Sequence, residues 1–209
     1  MYVPPANTVD DDTVIRAMVA EIAAAQFVTV ADDGFPTATL LPILWEQQTV
    51  VAHIAKANPQ WRALADGSPA LLICEGPQAY ISPSWYAAKY EHGKVVPTWN
   101  YSAVHLSGTV RVHHDPDWLH DAVERLTVEH EHRRAQPWHL TDAPQPYIRG
   151  QLAGIVGLEI AITRVEAKAK LSQNRSDADR AGVVAGLRTE GGLRGEAQVA
   201  DRMADDLGL

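Results

Sequence analysis

Residues 26–54, QFVTVADDGFPTATLLPILWEQQTVVAHI, decide the fold. Residues 26–31 carry Phe, Val and Thr, which suit a strand. Asp32-Asp33-Gly34 is a turn, and residues 37–45 return as a second strand, a pattern that predicts a hairpin. Residues 49–54 predict a third strand.

Toward the N-terminus, Asp10, Asp11, Asp12 and Thr13 offer helix caps, and acids suit the first turn. Val14, Ile15, Met18, Val19 and Ile22 recur at helical spacing, which predicts an amphipathic helix over 13–25. Toward the C-terminus, Asn58-Pro59 opens a short helical segment over 60–65. Residues 70–74, 78–82, 98–105 and 106–113 read as strands, the last two around Gly108. A helix follows over 116–134, with Asp115 as cap and Pro116 at its first position. After a Pro-broken linker (136–146) come a short helix (147–154), an alternating strand (155–165), a basic loop (168–175) and a helix (177–187). Six to eight short strands with a few helices predict a mainly β, α+β fold, a closed or nearly closed small barrel with helical decoration. Residues 1–187 form its domain, and 188–209 a polar tail with one weak helix.

Composition narrows the function. An apolar share of 46% over 209 residues builds a real core. No apolar run approaches the roughly 20 residues of a membrane helix. The start, MYVPPANTVDDD, has no basic region followed by an apolar run, so it does not read as a secretory signal. The single cysteine, Cys74, sits in the apolar run ALLIC and reads as a small core residue. These features predict a cytoplasmic protein. A net charge of -8 and the lack of a helix-turn-helix pattern argue against direct DNA binding.

Residues 76–105, GPQAYISPSWYAAKYEHGKVVPTWNYSAVH, combine flat rings (Tyr80, Trp85, Tyr86, Tyr90, Trp99, Tyr101) with hydroxyl, amide and ammonium donors (Ser82, Ser84, Asn100, Lys89, Lys94). That mixture suits either a planar ligand with an anionic edge or a core with satisfied polar tips. In residues 53–61, HIAKANPQW, the His53 imidazole could be a haem axial ligand and Lys56 a partner for a propionate or a flavin phosphate. The alternative is a strand-end histidine bonded to a carbonyl. His113-His114-Asp115 imitates an iron triad, but adjacent strand residues face opposite ways, so it reads as surface. Glu129-His130-Glu131-His132 reads as a solvated helix end. Residues 168–175, KAKLSQNR, could bind carboxylate or phosphate, or form a solvated turn. The chain has no GxSxG elbow, Walker loop or GxGxxG after a strand.

MYVPP, HIAKANPQW, GPQAYISPSWY, KVVPTWNYSAVH, GIVGLEI and KLSQNRSDADRAGV, in that order between Met1 and Leu187, resemble the PaiB family. The resemblance implies an FMN-binding split β-barrel, a homodimer with cofactor sites at or near the subunit interface, and a small-molecule substrate. It covers flavin-binding negative transcriptional regulators and haem-dependent piperazate synthases, which close N5-hydroxy-L-ornithine into L-piperazate by joining nitrogen to nitrogen. The second branch is the leading expectation, with haem b as cofactor and FMN as the alternative. Carried over, the haem reading makes His53 the iron ligand, and Lys56 stands where Arg is common. The flavin reading uses Lys56, Asn58, Ser82 and Lys170. Trp61, Trp85, Trp99, Asn100 and Tyr101 line the cofactor pocket, and Lys94, Tyr101 and His105 are the candidate proton-handling groups.

Overall fold

The computed structural model describes residues 1–31, 33–192 and 195–209, so Asp32 of the predicted turn lies outside the described residues. The chain divides into two compact units. The first comprises residues 1–15, 75–104 and 166–209, and the second residues 16–74 and 105–165.

The second unit is built on the predicted hairpin. β2 (Ala24–Val30) and β3 (Pro36–Pro42) pair antiparallel from Ala24↔Pro42 to Val30↔Pro36. β2 also pairs with β6 (Ser68–Ile81) through Gln26↔Ile73 and its neighbours. β4 (Leu44–Glu46) pairs with β5 (Thr49–Ala55), and β5 pairs with β8 (Ile155–Lys170) from Thr49↔Ala161 to Ala55↔Ile155. With β7 (Thr98–His113) the hydrogen-bonded order is β3-β2-β6-β7-β8-β5-β4. Alternate residues of β2 turn inward, and Phe27, Val50, Ala52, Leu72, Leu158 and Ile160 are fully buried. Helices α3 (Pro116–Glu131, capped by Asp115) and α4 (Gln145–Leu152) form a smaller cluster through Leu119, Leu140, Ile148 and Leu152.

In the first unit, β1 (Thr8–Val9) pairs with the end of β8, Thr8↔Lys168 and Val9↔Ala167. Its core joins Ile81, Tyr86, Val183 and Leu187 to Val199, Ala200 and Met203. α2 (Ala88–Glu91) is a single turn after Trp85. α5 (Asp177–Thr189) begins at the Ser176 cap, and α6 (Glu196–Leu207), the helix expected to be weak, buries one apolar face. Among the described residues no helix is long and apolar enough to cross a membrane.

Several boundaries differ from expectation. The first helix, α1 (Asp12–Ile22), stops short of residue 25 because Ala23 turns to φ 58° and Ala24 and Ala25 join β2. The strand expected over 37–45 divides at Ile43, next to Pro42, which has no N–H for a ladder. Conversely, the strands expected on either side of Gly108 are one 16-residue strand. A Cβ at Gly108 would lie 2.1 Å from the Ala161 carbonyl oxygen, so this glycine permits close strand approach and does not mark a break. β8 likewise runs on to Lys170, absorbing the start of the expected loop.

One polar cluster fastens the hairpin. Asn58 Oδ1 accepts the Gln60 N–H at 2.9 Å and caps a 3₁₀ turn (Pro59–Ala63), while its Nδ2 donates to Thr39 Oγ1 at 3.0 Å. The buried Gln60 amide donates to the Phe27 carbonyl (3.0 Å), Thr29 Oγ1 (3.0 Å) and the Thr37 carbonyl (3.2 Å), and accepts from Thr39 Oγ1 at 2.6 Å. Gln60→Ala would strand these groups in the interior and should cost about 2–4 kcal/mol. Urea unfolding of the purified variant checks this, and a loss under about 0.5 kcal/mol would show that the clamp is dispensable.

Candidate functional site

The end of β8 carries two lysines on one face, because strand side chains alternate with period two. Lys168 is 6% exposed, and its Nζ donates to Tyr101 Oη at 2.7 Å and to the Tyr2 carbonyl at 3.2 Å. It also lies 4.8 Å from the Tyr101 ring centroid. Lys170 Nζ donates to Thr98 Oγ1 and, at 2.7 Å, to the Trp99 carbonyl. Burial is the main cause lowering the Lys170 pKa; the Lys168 charge adds to it and Tyr101 opposes it. Among the described residues neither ammonium has a carboxylate within ion-pair distance. Sequestered charge satisfied only by neutral acceptors is costly, and an incoming phosphate or carboxylate would relieve that cost.

The turn after β8 holds this arrangement. Ser172 sits at φ 62°, the Leu171 N–H donates to Gln173 Oε1 at 2.8 Å, and Gln173 Nε2 donates to the Ala169 carbonyl at 2.6 Å. Asn100 is fully buried. Its Nδ2 donates to Ser172 Oγ (3.0 Å) and Met203 Sδ (3.4 Å), and Ser172 Oγ donates to its Oδ1 at 3.2 Å. Asn100 thereby fixes β7 to the turn in the stretch that presents Trp99 and Tyr101. Ser82 accepts the Ser84 N–H as a cap. Trp85 packs on α5, where a Cβ at Gly186 would lie 2.4 Å from the indole, and its Nε1 donates to Glu190 at 3.1 Å. Trp99 is 45% exposed, with Tyr80 at 6.5 Å and its Nε1 donating to Gln78 Oε1 at 3.0 Å. Lys94 is exposed, and its backbone N–H donates to His92 Nδ1.

The other expected residues belong to the second unit. His53 pairs with Gly157 across the β5–β8 ladder, half-buried, with its Nδ1 buried and without a hydrogen-bond partner among the described residues. Burial lowers its pKa, so the ring is neutral near pH 7. Lys56 is exposed at the strand end. Trp61 Nε1 donates to its carbonyl at 3.1 Å, and the Trp61 ring meets His114 edge-on at 5.3 Å. His105 is half-buried on β7. Burial raises the Cys74 thiol to about 12, which fits a core residue and not a nucleophile.

Within the first unit the structure thus brings together Thr98, Trp99, Tyr101 and Lys170, and adds Lys168 and Tyr2. Lys168 had been read only as part of a loop. The i, i+2 spacing of the two lysines marks a shared strand face once β8 is carried past residue 165. The stack of His113 on Trp118, at 3.9 Å and 3° between planes, joins residues whose contact no local pattern announced.

Residues 1–164 match the family model described as "Putative FMN-binding domain". The chain is 33% identical over 211 residues to "Protease synthase and sporulation protein PAI 2" of Bacillus subtilis (strain 168), covering 99% of this chain and 98% of that protein. Among solved structures it is similar to the FAD and haem binding protein from Mycobacterium smegmatis (TM-score 0.62, 21% identity, 86% of this chain and 80% of that one). It is also similar to the flavocytochrome Anf3 from Azotobacter vinelandii (TM-score 0.53, 16% identity, 76% of this chain and 67% of that one). These likenesses establish the split-barrel fold expected from the sequence.

His53 supplies a pH test. Its folded pKa lies below the unfolded value of about 6.5, so the unfolded chain takes up the proton first. Its contribution to stability is fully present above about pH 6.5 and is lost as pH falls below that value and through the lower folded pKa. His53→Asn should flatten the decline in melting temperature between about pH 7.5 and 5 relative to the parent. Parallel slopes in the two proteins would show that His53 is not held neutral.

Proposed function

This chain belongs to the PaiB family, and from that premise we propose that it is a cytoplasmic FMN-binding protein performing flavin-dependent redox chemistry on a small-molecule substrate. The observation that carries the reading is the Lys168–Lys170 pair, two ammonium groups without a carboxylate partner among the described residues. A phosphate monoester fits that donor set: two cations, with the hydroxyls of Tyr101 and Thr98 beside them. Bound FMN would supply hydride and electron transfer. Lys168 and Lys170 would hold its phosphate, and Asn100 would keep β7 seated so that Trp99 and Tyr101 stay beside them. Asn58 and Ser82 serve as turn caps in this structure, so phosphate recognition falls on the lysines.

A homodimer belongs to the same proposal. Val30, Phe35 and Leu40 are exposed on the β2–β3 hairpin, whose outer strand is a sheet edge, and a second copy would cover them. Regulation by direct DNA contact does not, since the net charge is -8.

One observation favours a second reading, a haem b protein of the piperazate-synthase type acting on N5-hydroxy-L-ornithine. The His53 ring is neutral, the form that ligates iron, and one of its nitrogens is buried without a partner.

Absorbance titration of the purified protein tests both. FMN should bind with bands near roughly 370 and 450 nm. Lys168→Ala and Lys170→Ala should each weaken FMN binding about tenfold or more, and riboflavin, which lacks the phosphate, should be little affected. Equal FMN affinity in parent and both variants would remove the phosphate assignment. A band near roughly 400 nm with supplied haem, abolished by His53→Ala, would favour the haem reading.

A further inference from the structure

We propose that the second unit holds a site for a small amphipathic monocarboxylate, formed by α3, α4, the end of β5 and the start of β8. The cavity there encloses about 400 Å³, within the roughly 300–1,000 Å³ of small-molecule sites. Part of its wall is apolar: Leu119 and Leu152 are nearly fully buried, and Ile155 is half-buried beside them, with Gln145 among the polar lining. Lys56 and Arg149 stand exposed at its mouth.

These two cations differ from others on the same unit. Arg125 pairs with Glu46, Arg111 with Asp66 and Arg134 with Glu131. Among the described residues, neither Lys56 nor Arg149 has a carboxylate or any side-chain hydrogen-bond partner. The Lys56 backbone is nonetheless fixed at both ends: its N–H donates to the Gly154 carbonyl at 2.8 Å, and its carbonyl accepts from Trp61 Nε1 at 3.1 Å. A cation on an anchored backbone beside an apolar cavity is pre-organised for an anion carrying an apolar body. Asp117 is the one carboxylate on the lining, so two cations against one acid leave a single net positive charge. That balance selects a monoanion. The apolar walls select a hydrocarbon or aryl body, and planar carboxylate geometry matches the Arg149 fork. His114 and His120 also line the cavity, and His120 lies 3.8 Å from Asp121.

Calorimetric titration of the full chain with sodium octanoate, at low salt, tests the site, with octan-1-ol as the neutral control. Octanoate should bind saturably, one per chain, and the alcohol at least about tenfold more weakly. The Lys56→Ala/Arg149→Ala double variant should lose about tenfold or more in octanoate affinity. Ala153→Trp, at an exposed position on the cavity wall, should abolish binding without changing melting temperature or FMN affinity. Absence of saturable octanoate binding by the parent would overturn the proposal, as would binding unchanged in both variants. Binding lost in Ala153→Trp but retained in the double variant would overturn the carboxylate assignment. FMN titration of the same variants reads the lysine pair on β8 independently.

Discussion

The structure depends on β8. Its first residues pair with β5 from Ile155 to Ala161, and its last pair with β1 at Ala167 and Lys168. The ladder with β5 sets His53 opposite Gly157 and brings the chain after Ala55 to the turn where Lys56 bonds Gly154. The far end of the same strand presents Lys168 and Lys170. Backbone hydrogen bonding is obligatory in a buried strand, so within each unit the register of its own ladder dictates where charged side chains emerge.

Two kinds of polar group carry the argument, and they differ in whether their partners are present. Gln60 is buried and fully bonded, so it stabilises the hairpin and is silent chemically. Lys168 is about as buried as Gln60, yet among the described residues its charge meets only a phenol, a carbonyl and ring faces. A satisfied network explains itself; a cation without a counter-charge invites a ligand. The same distinction separates Arg125, paired with Glu46, from Arg149, which has no carboxylate partner among the described residues.

The motifs that carry the family resemblance divide along this line. In HIAKANPQW, Asn58, Pro59 and Gln60 cap and clamp a 3₁₀ turn, and Trp61 anchors the Lys56 carbonyl. In KLSQNR, Ser172 and Gln173 close a tight turn that also seats Asn100. Trp85 is taken up by packing on α5, whereas Trp99 keeps an exposed ring. Much of what reads as cofactor chemistry in these linear motifs is local architecture: turn caps, a side-chain clamp and a ring packed on a helix.

The sequence by itself determined the hairpin, the cap at Asp115, the buried role of Cys74 and the family with its barrel fold. Each of these rests on contacts within a few residues or on motifs long enough to be distinctive. Tertiary structure alone decided that Gly108 lies inside a continuous strand, because the Ala161 carbonyl that demands a glycine is 53 positions away (161 minus 108). It alone decided that α6 is core, since its buried face meets residues distant in sequence: Ile81 at the end of β6, Tyr86, Leu171, and Val183 and Leu187 of α5. Whether a cation is paired was likewise settled only in space. Lys168 meets Tyr101 across 67 positions, and charge compensation depends on distance between atoms, which no local periodicity encodes.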